Sequence, residues 1–252
     1  MLDRVQLKKE AKEIMGGACV SAYKMTLLYL VIVTALDAVS TYVSGTLVEE
    51  LHYLAPEIHL PEFLLLPQSF NPVTVLFVTV FASLLAYVLN AGLTIYHLGV
   101  RRGEKMEYSS LFDGFGFVGK VILLNVVIFI FVFAWSLLFY IPGLIAAYRY
   151  RFALYNLCEN PEMGVLEAIN MSKAQTYGHK MDLFVLDLSF LGWNILSVFT
   201  LGILNIWLSP YVNQTDLGYF QQIKQMKGIG WMPPQDPQDG EFRRLDPFEG
   251  EE

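Results

Sequence analysis

Charge is scarce in this sequence. Of 252 residues, 17 are Lys or Arg and 24 are Asp or Glu, so charged side chains make up 16%, where soluble domains carry about 25%. Together with 54% hydrophobic residues and a mean hydropathy of +0.44, this excludes an ordinary soluble enzyme. Cysteine is almost absent. Cys19 and Cys158 form no CxxC pair and fall short of the roughly four ligands of a structural zinc site, so both read as inert thiols. No HExxH, GxSxG, Walker loop or dinucleotide fingerprint occurs. The expectation is therefore a protein without enzymatic activity, cofactor, resident metal or nucleic-acid partner.

What is present is long apolar runs. Met25–Val48, Val73–Val100 and Val118–Ile141 are each long enough to cross about 30 Å of hydrocarbon at about 1.5 Å per residue. Ahead of them, residues 1–24 are charged and amphipathic. Asp3 and Gln6 are spaced as a capping box, and Leu7, Ala11, Ile14 and Ala18 share one helical face; this predicts a helix lying on the membrane surface. The small-residue pattern Ala38-Val39-Ser40 follows the apolar stretch Met25–Leu36 as a signal-peptide cleavage site would, but too much hydrophobic chain follows for an exported protein. Between the first two runs, Glu49–Pro72 is acidic and proline-rich and predicts an aqueous loop. Its His52 and His59, with Glu49, Glu50, Glu57 and Glu62, recur at no metal-ligand spacing and read as solvated.

Two weaker segments decide the topology: Gly143–Leu157 contains Arg149 and Arg151, and Leu204–Ile223 contains Pro210, Asn213 and Asp216. Lys and Arg near spans mark the cytoplasmic side. Arg4, Lys8, Lys9, Lys12 and Lys24 precede the first span, none occurs from residue 25 to 100, and Arg101, Arg102, Lys105 and Lys120 follow. Keeping Lys173, Lys180, Lys224, Lys227, Arg243 and Arg244 inside requires tight outer turns at Ile141-Pro142-Gly143 and near Thr200–Ile203. The expected fold is an all-α polytopic membrane bundle of six transmembrane helices in three hairpins, with amphipathic interfacial helices, one of them Glu162–Tyr177. Its parts are a cytoplasmic amphipathic helix at 1–24, a six-helix membrane domain at 25–227, and a disordered cytoplasmic tail at 228–252. Asn170-Met171-Ser172 and Asn213-Gln214-Thr215 match the glycosylation pattern but fall in cytoplasm or membrane on this topology.

The second half carries an ordered string of short motifs: Ile141-Pro142-Gly143, Glu159-Asn160-Pro161, Glu167-Ala168-Ile169 with Ser172-Lys173, Gly178-His179-Lys180, and Leu188-Ser189-Phe190-Leu191-Gly192-Trp193. Thr200-Leu201-Gly202-Ile203, Trp207-Leu208-Ser209-Pro210-Tyr211 and Tyr219-Phe220 complete it. This string resembles the bacterial integral membrane family known as domain of unknown function 975. Cys158 departs from the aspartate the family tends to place before Asn-Pro, and Tyr219-Phe220 reverses its Phe-Tyr. The resemblance implies a six-helix protein of a bacterial plasma membrane and brings no activity with it.

Ionisable residues inside spans are costly and usually face a bundle interior or water. Asp37, Arg149, Arg151, Asp187 and Asp216 are therefore the candidate intramembrane polar site. Counting residues puts Asp37 and Arg149 at similar depths below the outer face, which predicts an ion pair between them. Pro210 is expected to free carbonyls that Asn205, Ser209 or Asn213 supply with partners. His179 and Lys180 are candidates for lipid contact at the inner interface. Two functions stay open: non-enzymatic binding of membrane lipids or of another membrane protein, or a small transporter or lipid-handling permease. A closed, dry bundle favours the first, and an aqueous cavity reaching Asp37 or Arg151 favours the second.

Overall fold

The computed structural model describes residues 4–18, 20–46, 53, 70–138 and 140–230. Asp3, Cys19, nearly all of the acidic loop and the tail from 231 onward lie outside the described residues. The described chain runs α1 (Arg4–Gly16), α2 (Ala22–Ser44), α3 (Pro72–Arg101), a 3-10 helix (Tyr108–Phe117), α4 (Val118–Leu138), α5 (Tyr140–Tyr150) and α6 (Ala153–Glu159). It continues with α7 (Val165–Thr176), α8 (Lys180–Leu188), α9 (Leu191–Phe199) and α10 (Asn205–Lys227). No strand occurs among these residues. Among the described residues, four stretches are long and apolar enough to cross a membrane: Ala22–Ser44, Pro72–Arg101, Tyr108–Leu137 and Lys180–Phe199.

Contacts across the turns show how the helices fold back. Ser40 and Thr79 hydroxyls meet at 3.0 Å, and the Tyr96 hydroxyl donates to the Val20 carbonyl at 2.6 Å, so α2 and α3 run antiparallel. The rings of Phe131 and Tyr150 lie 5.8 Å apart, and a Cβ on Gly143 would come within 2.1 Å of Ser136 Oγ; both pairs straddle residue 140. Likewise, Ser197 Oγ donates to Asn205 Oδ1 at 2.8 Å and the Phe190 and Tyr211 rings meet edge-on at 5.5 Å, both pairs centred near residue 201.

Some sequence expectations shift. Pro142 and Gly143 lie inside the first turn of α5, which begins at Tyr140, rather than in a turn outside a helix. A proline is accommodated there because the first N–H groups of a helix have no intrahelical acceptor. At the other expected turn, α9 ends at Phe199, Leu201 and Gly202 take positive φ of 49° and 82°, and α10 begins at Asn205, so 183–208 is not one continuous helix. Asn205 is occupied by Ser197 rather than by a carbonyl that Pro210 frees. The N-terminal helix also differs. Leu7, Ala11 and Met15 on its apolar face are buried against the protein, chiefly α10, so α1 does not offer that face to lipid.

The packed core occupies one end of the bundle. In α3 the buried run is Val88–Val100 apart from Ile95 and Asn90, while the half near Pro72 is largely exposed. In α2 only Ala22, Met25 and Thr26 are buried. The buried end is the one bearing Arg101, Arg102, Glu159 and Lys224, where Glu159 pairs with Arg102 at 3.4 Å and with Lys224. Close approach there depends on small residues. The 3-10 helix doubles back along α3, where a Cβ on Gly92 would lie 1.8 Å from the Leu111 carbonyl oxygen and one on Gly114 would lie 2.4 Å from that of Val88. A backbone atom cannot turn aside as a flexible side chain can. Gly92→Ala should therefore lower stability in detergent by about 1–3 kcal/mol, the range for overpacking. Gly116→Ala, with open space around its Cβ, should leave thermal unfolding almost unchanged; equal melting temperatures for the two variants would contradict the packing described.

Candidate functional site

A helix interrupted at residues 151 and 152 has backbone groups without intrahelical partners, and away from water each must find one. Helix α7 supplies them. Ser172 Oγ accepts from the Phe152 amide at 3.1 Å and donates to the Arg149 carbonyl at 2.9 Å, and Thr176 Oγ1 reaches the same carbonyl at 3.3 Å. Ser172 and Thr176 are fully buried. Their hydroxyls stabilise the break between α5 and α6, and the break carries Arg151 toward the interior.

Arg151 is held by two carboxylates. Its Nη1 donates to Asp187 Oδ2 at 2.6 Å and its Nη2 to Asp187 Oδ1 at 2.8 Å, a bidentate pair, while Nη2 also donates to Asp216 Oδ2 at 2.6 Å. Tyr148 Oη donates to Asp187 Oδ2 at 2.7 Å. Asp187 stands at the end of α8, immediately before a second helix interruption at Ser189 and Phe190. Asp216 is in α10, beyond Pro210. Three segments separated in sequence thus meet at one guanidinium. Asp216 Oδ1 is buried with no hydrogen-bond partner among the described residues.

Beside this cluster lies a cavity of about 240 Å³, lined by Asn90, Thr94, His97, Arg151, Tyr155 and Asn213 among others. Asn90 is exposed, whereas His97 is 1% exposed. The Gln214 side-chain amide donates to the His97 carbonyl at 3.0 Å and contacts His97 Nδ1 at 3.2 Å. An amide nitrogen can only donate, so Nδ1 is the acceptor and the ring hydrogen sits on Nε2. That Nε2 is buried and has no protein partner among the described residues.

The remaining sequence candidates are placed elsewhere. Asp37 is exposed on α2, and no ion pair joins it to Arg149; equal depth does not make two helices neighbours, and α2 packs chiefly on α3 and α10 rather than on α5. Arg149 contributes its backbone carbonyl to the helix break, and the neighbouring Arg151 makes the ion pairs. His179 immediately precedes α8, with Nδ1 3.2 Å from Asp182 Oδ2, and Lys180 is the first residue of that helix. Lys8 of α1 reaches the α8–α9 interruption, donating to Ser189 Oγ at 2.8 Å and lying over the Phe190 ring at 4.1 Å. Burial, then repulsion from Arg4 and Lys12, holds its ammonium below the ordinary lysine pKa. Sequence reasoning missed His97, Tyr148, Tyr155, Ser172, Thr176 and Gln214. Only the Ser172-Lys173 motif pointed toward any of them.

The long apolar helices and the compensated interior charges define the class, a helical membrane-embedded protein. Residues 137–227 match the family model described as "Protein of unknown function (DUF975)", and this segment of the chain is similar to that family. The matched segment contains Arg151, Asp187 and Asp216, while Asn90, Thr94 and His97 of the cavity come from outside it. Comparison with curated proteins and with solved structures gave no match.

Removing one partner from a buried ion pair typically costs about 3–5 kcal/mol, because the other charge is left uncompensated. Arg151→Gln should accordingly lower the melting temperature of the purified protein well below that of Arg149→Gln. If Arg149→Gln is the more damaging change, the assignment of the ion-paired cation is wrong.

Proposed function

We propose that the protein is a non-enzymatic, multi-pass protein of a bacterial plasma membrane that handles a small polar ligand in the cavity beside Arg151. Of the two readings left open by the sequence, this favours the small permease over a bundle that only binds lipid or a protein partner. The observation that carries it is the polar cavity itself, reaching Arg151 within an otherwise apolar helical protein. Interrupted helices beside a polar site are a recurring way for transporters to present polar groups at membrane depth. The breaks at 151–152 and 189–190 are of that kind.

On this reading the chain crosses the membrane six times as three in-out-in hairpins: α2 with α3, α4 with the α5–α6 pair, and α8–α9 with α10. Both termini are cytoplasmic, with α7 on the inner side. Support comes from the paired contacts centred on each reversal and from the basic residues gathered at the packed end. The expected partners are membrane lipids, met at His179 and Lys180, and another membrane protein is compatible with this arrangement.

Single cysteines test both parts, in a background carrying Cys19→Ser and Cys158→Ser. Thr94→Cys should react with a small hydrophilic thiol reagent in open membranes, because the cavity holds water. With an impermeant reagent on intact cells, Glu57→Cys should label, whereas Lys105→Cys, Ala174→Cys and Asp239→Cys should not. An unreactive Thr94→Cys would leave only the dry, ligand-free bundle; external labelling at Ala174 or Asp239 would remove the second or third hairpin from the membrane.

A further inference from the structure

An ionisable side chain at membrane depth needs opposite charge or water, and the candidate polar residues meet that need unevenly. Arg151, Asp187 and Asp216 satisfy one another. Asp37 and Arg149 are left over. Among the described residues, neither side chain has a hydrogen-bond or ion-pair partner. Asp37 is exposed on α2, where Thr34 and Ala38 beside it are also exposed and are small enough to let a second helix come close. Arg149 is half-buried. It follows Ile141 and Ile145 at four-residue steps along α5, and those two are 68% and 47% exposed, so Arg149 continues an outward face.

The two lie at one level. Arg149 adjoins Tyr150, whose ring meets that of Phe131. Phe131 stands seven residues before the end of α4 at Leu138, and Asp37 seven residues before the end of α2 at Ser44. On the six-span topology each is about 10 Å inside the outer end of its hairpin. They belong to different sides of the bundle, since the chief neighbours of α2 are α3 and α10 and those of α5 are α4, α7 and α8. One copy therefore presents an acid on one side and a base on another, with opposite charge at matching depth.

Resting on the six-span reading above, we infer that copies of this chain associate head to tail in the membrane, with Asp37 of one copy paired to Arg149 of the next. The contact joins two different surfaces, so each added copy leaves an Asp37 face and an Arg149 face free and assembly continues past two.

The test uses the full chain in vesicles of phosphatidylethanolamine and phosphatidylglycerol, labelled near its C-terminus with a donor or an acceptor fluorophore. Energy transfer is followed as the protein is diluted in lipid, and folding is checked by thermal unfolding. The native chain should transfer energy at dilutions where Asp37→Asn alone and Arg149→Gln alone do not, because losing one partner of a desolvated charge pair weakens association by about a hundredfold. Mixing donor-labelled Asp37→Asn with acceptor-labelled Arg149→Gln should restore transfer, since the first still offers Arg149 and the second still offers Asp37. That mixture should show at most two photobleaching steps per assembly, and the native chain more than two. Recovery on mixing also shows that neither variant is misfolded. A native chain that is monomeric or stops at two, single variants that associate as the native chain does, or a mixture that fails to recover would overturn the inference. Labelling of Ala174→Cys from outside reports the second hairpin separately: loss of association with Ala174 protected overturns the assembly alone, and labelling there removes the topology on which it rests.

Discussion

The arrangement depends on Arg151 being compensated. An arginine in a medium that solvates ions poorly is tolerated only where opposite charge and hydrogen bonds replace water. Asp187 and Asp216 provide both, and they come from two further segments, so satisfying one side chain also ties α5–α6, α8 and α10 together. The same requirement fixes the backbone. Arg151 reaches the carboxylates at an interruption in the helix, and the interruption is stable because α7 provides Ser172 and Thr176 for the freed Arg149 and Phe152 groups. Charge compensation, helix breakage and docking of α7 are parts of a single constraint.

Much of this organisation was legible in the sequence because it rests on one-dimensional quantities. Apolar run length marked the helices near Met25, Val73 and Val118, and the spacing of Lys and Arg marked which ends gather together. Glu162–Tyr177 was recognisable as a helix and corresponds to Val165–Thr176. Reading the second half as a member of the DUF975 family agrees with the family match over 137–227.

What escaped the sequence was whatever depends on the azimuth of a side chain or on a partner far along the chain. Counting about 1.5 Å per residue gave depths for Asp37 and Arg149 but not which helices adjoin, and α2 packs chiefly on α3 and α10 while Arg151, not Arg149, makes the ion pairs. Nothing local in Asp187 or Asp216 says that they converge. The amphipathic pattern of α1 shows which face is apolar but not that Leu7, Ala11 and Met15 meet protein instead of lipid. His97 and Gln214 sit in helices whose neighbours give no hint that one amide fixes the tautomer of the other. Gly218 is silent in the sequence as well, yet a Cβ there would lie 2.8 Å from Arg101 Nη2 and 2.9 Å from Leu7 Cδ2, so its small size lets α1 and α3 reach α10.

The central claim is that Arg151 and Asp216 act as one unit, and the most direct measurement is a double-mutant cycle on stability with Arg151→Gln, Asp216→Asn and the pair combined. Residues in one buried ion network couple by about 0.5–3 kcal/mol. The account predicts that the double variant loses less than the sum of the two single losses, by an amount toward the upper part of that range. Strict additivity would contradict it, since two independent side chains cannot be the constraint on which the surrounding helices depend.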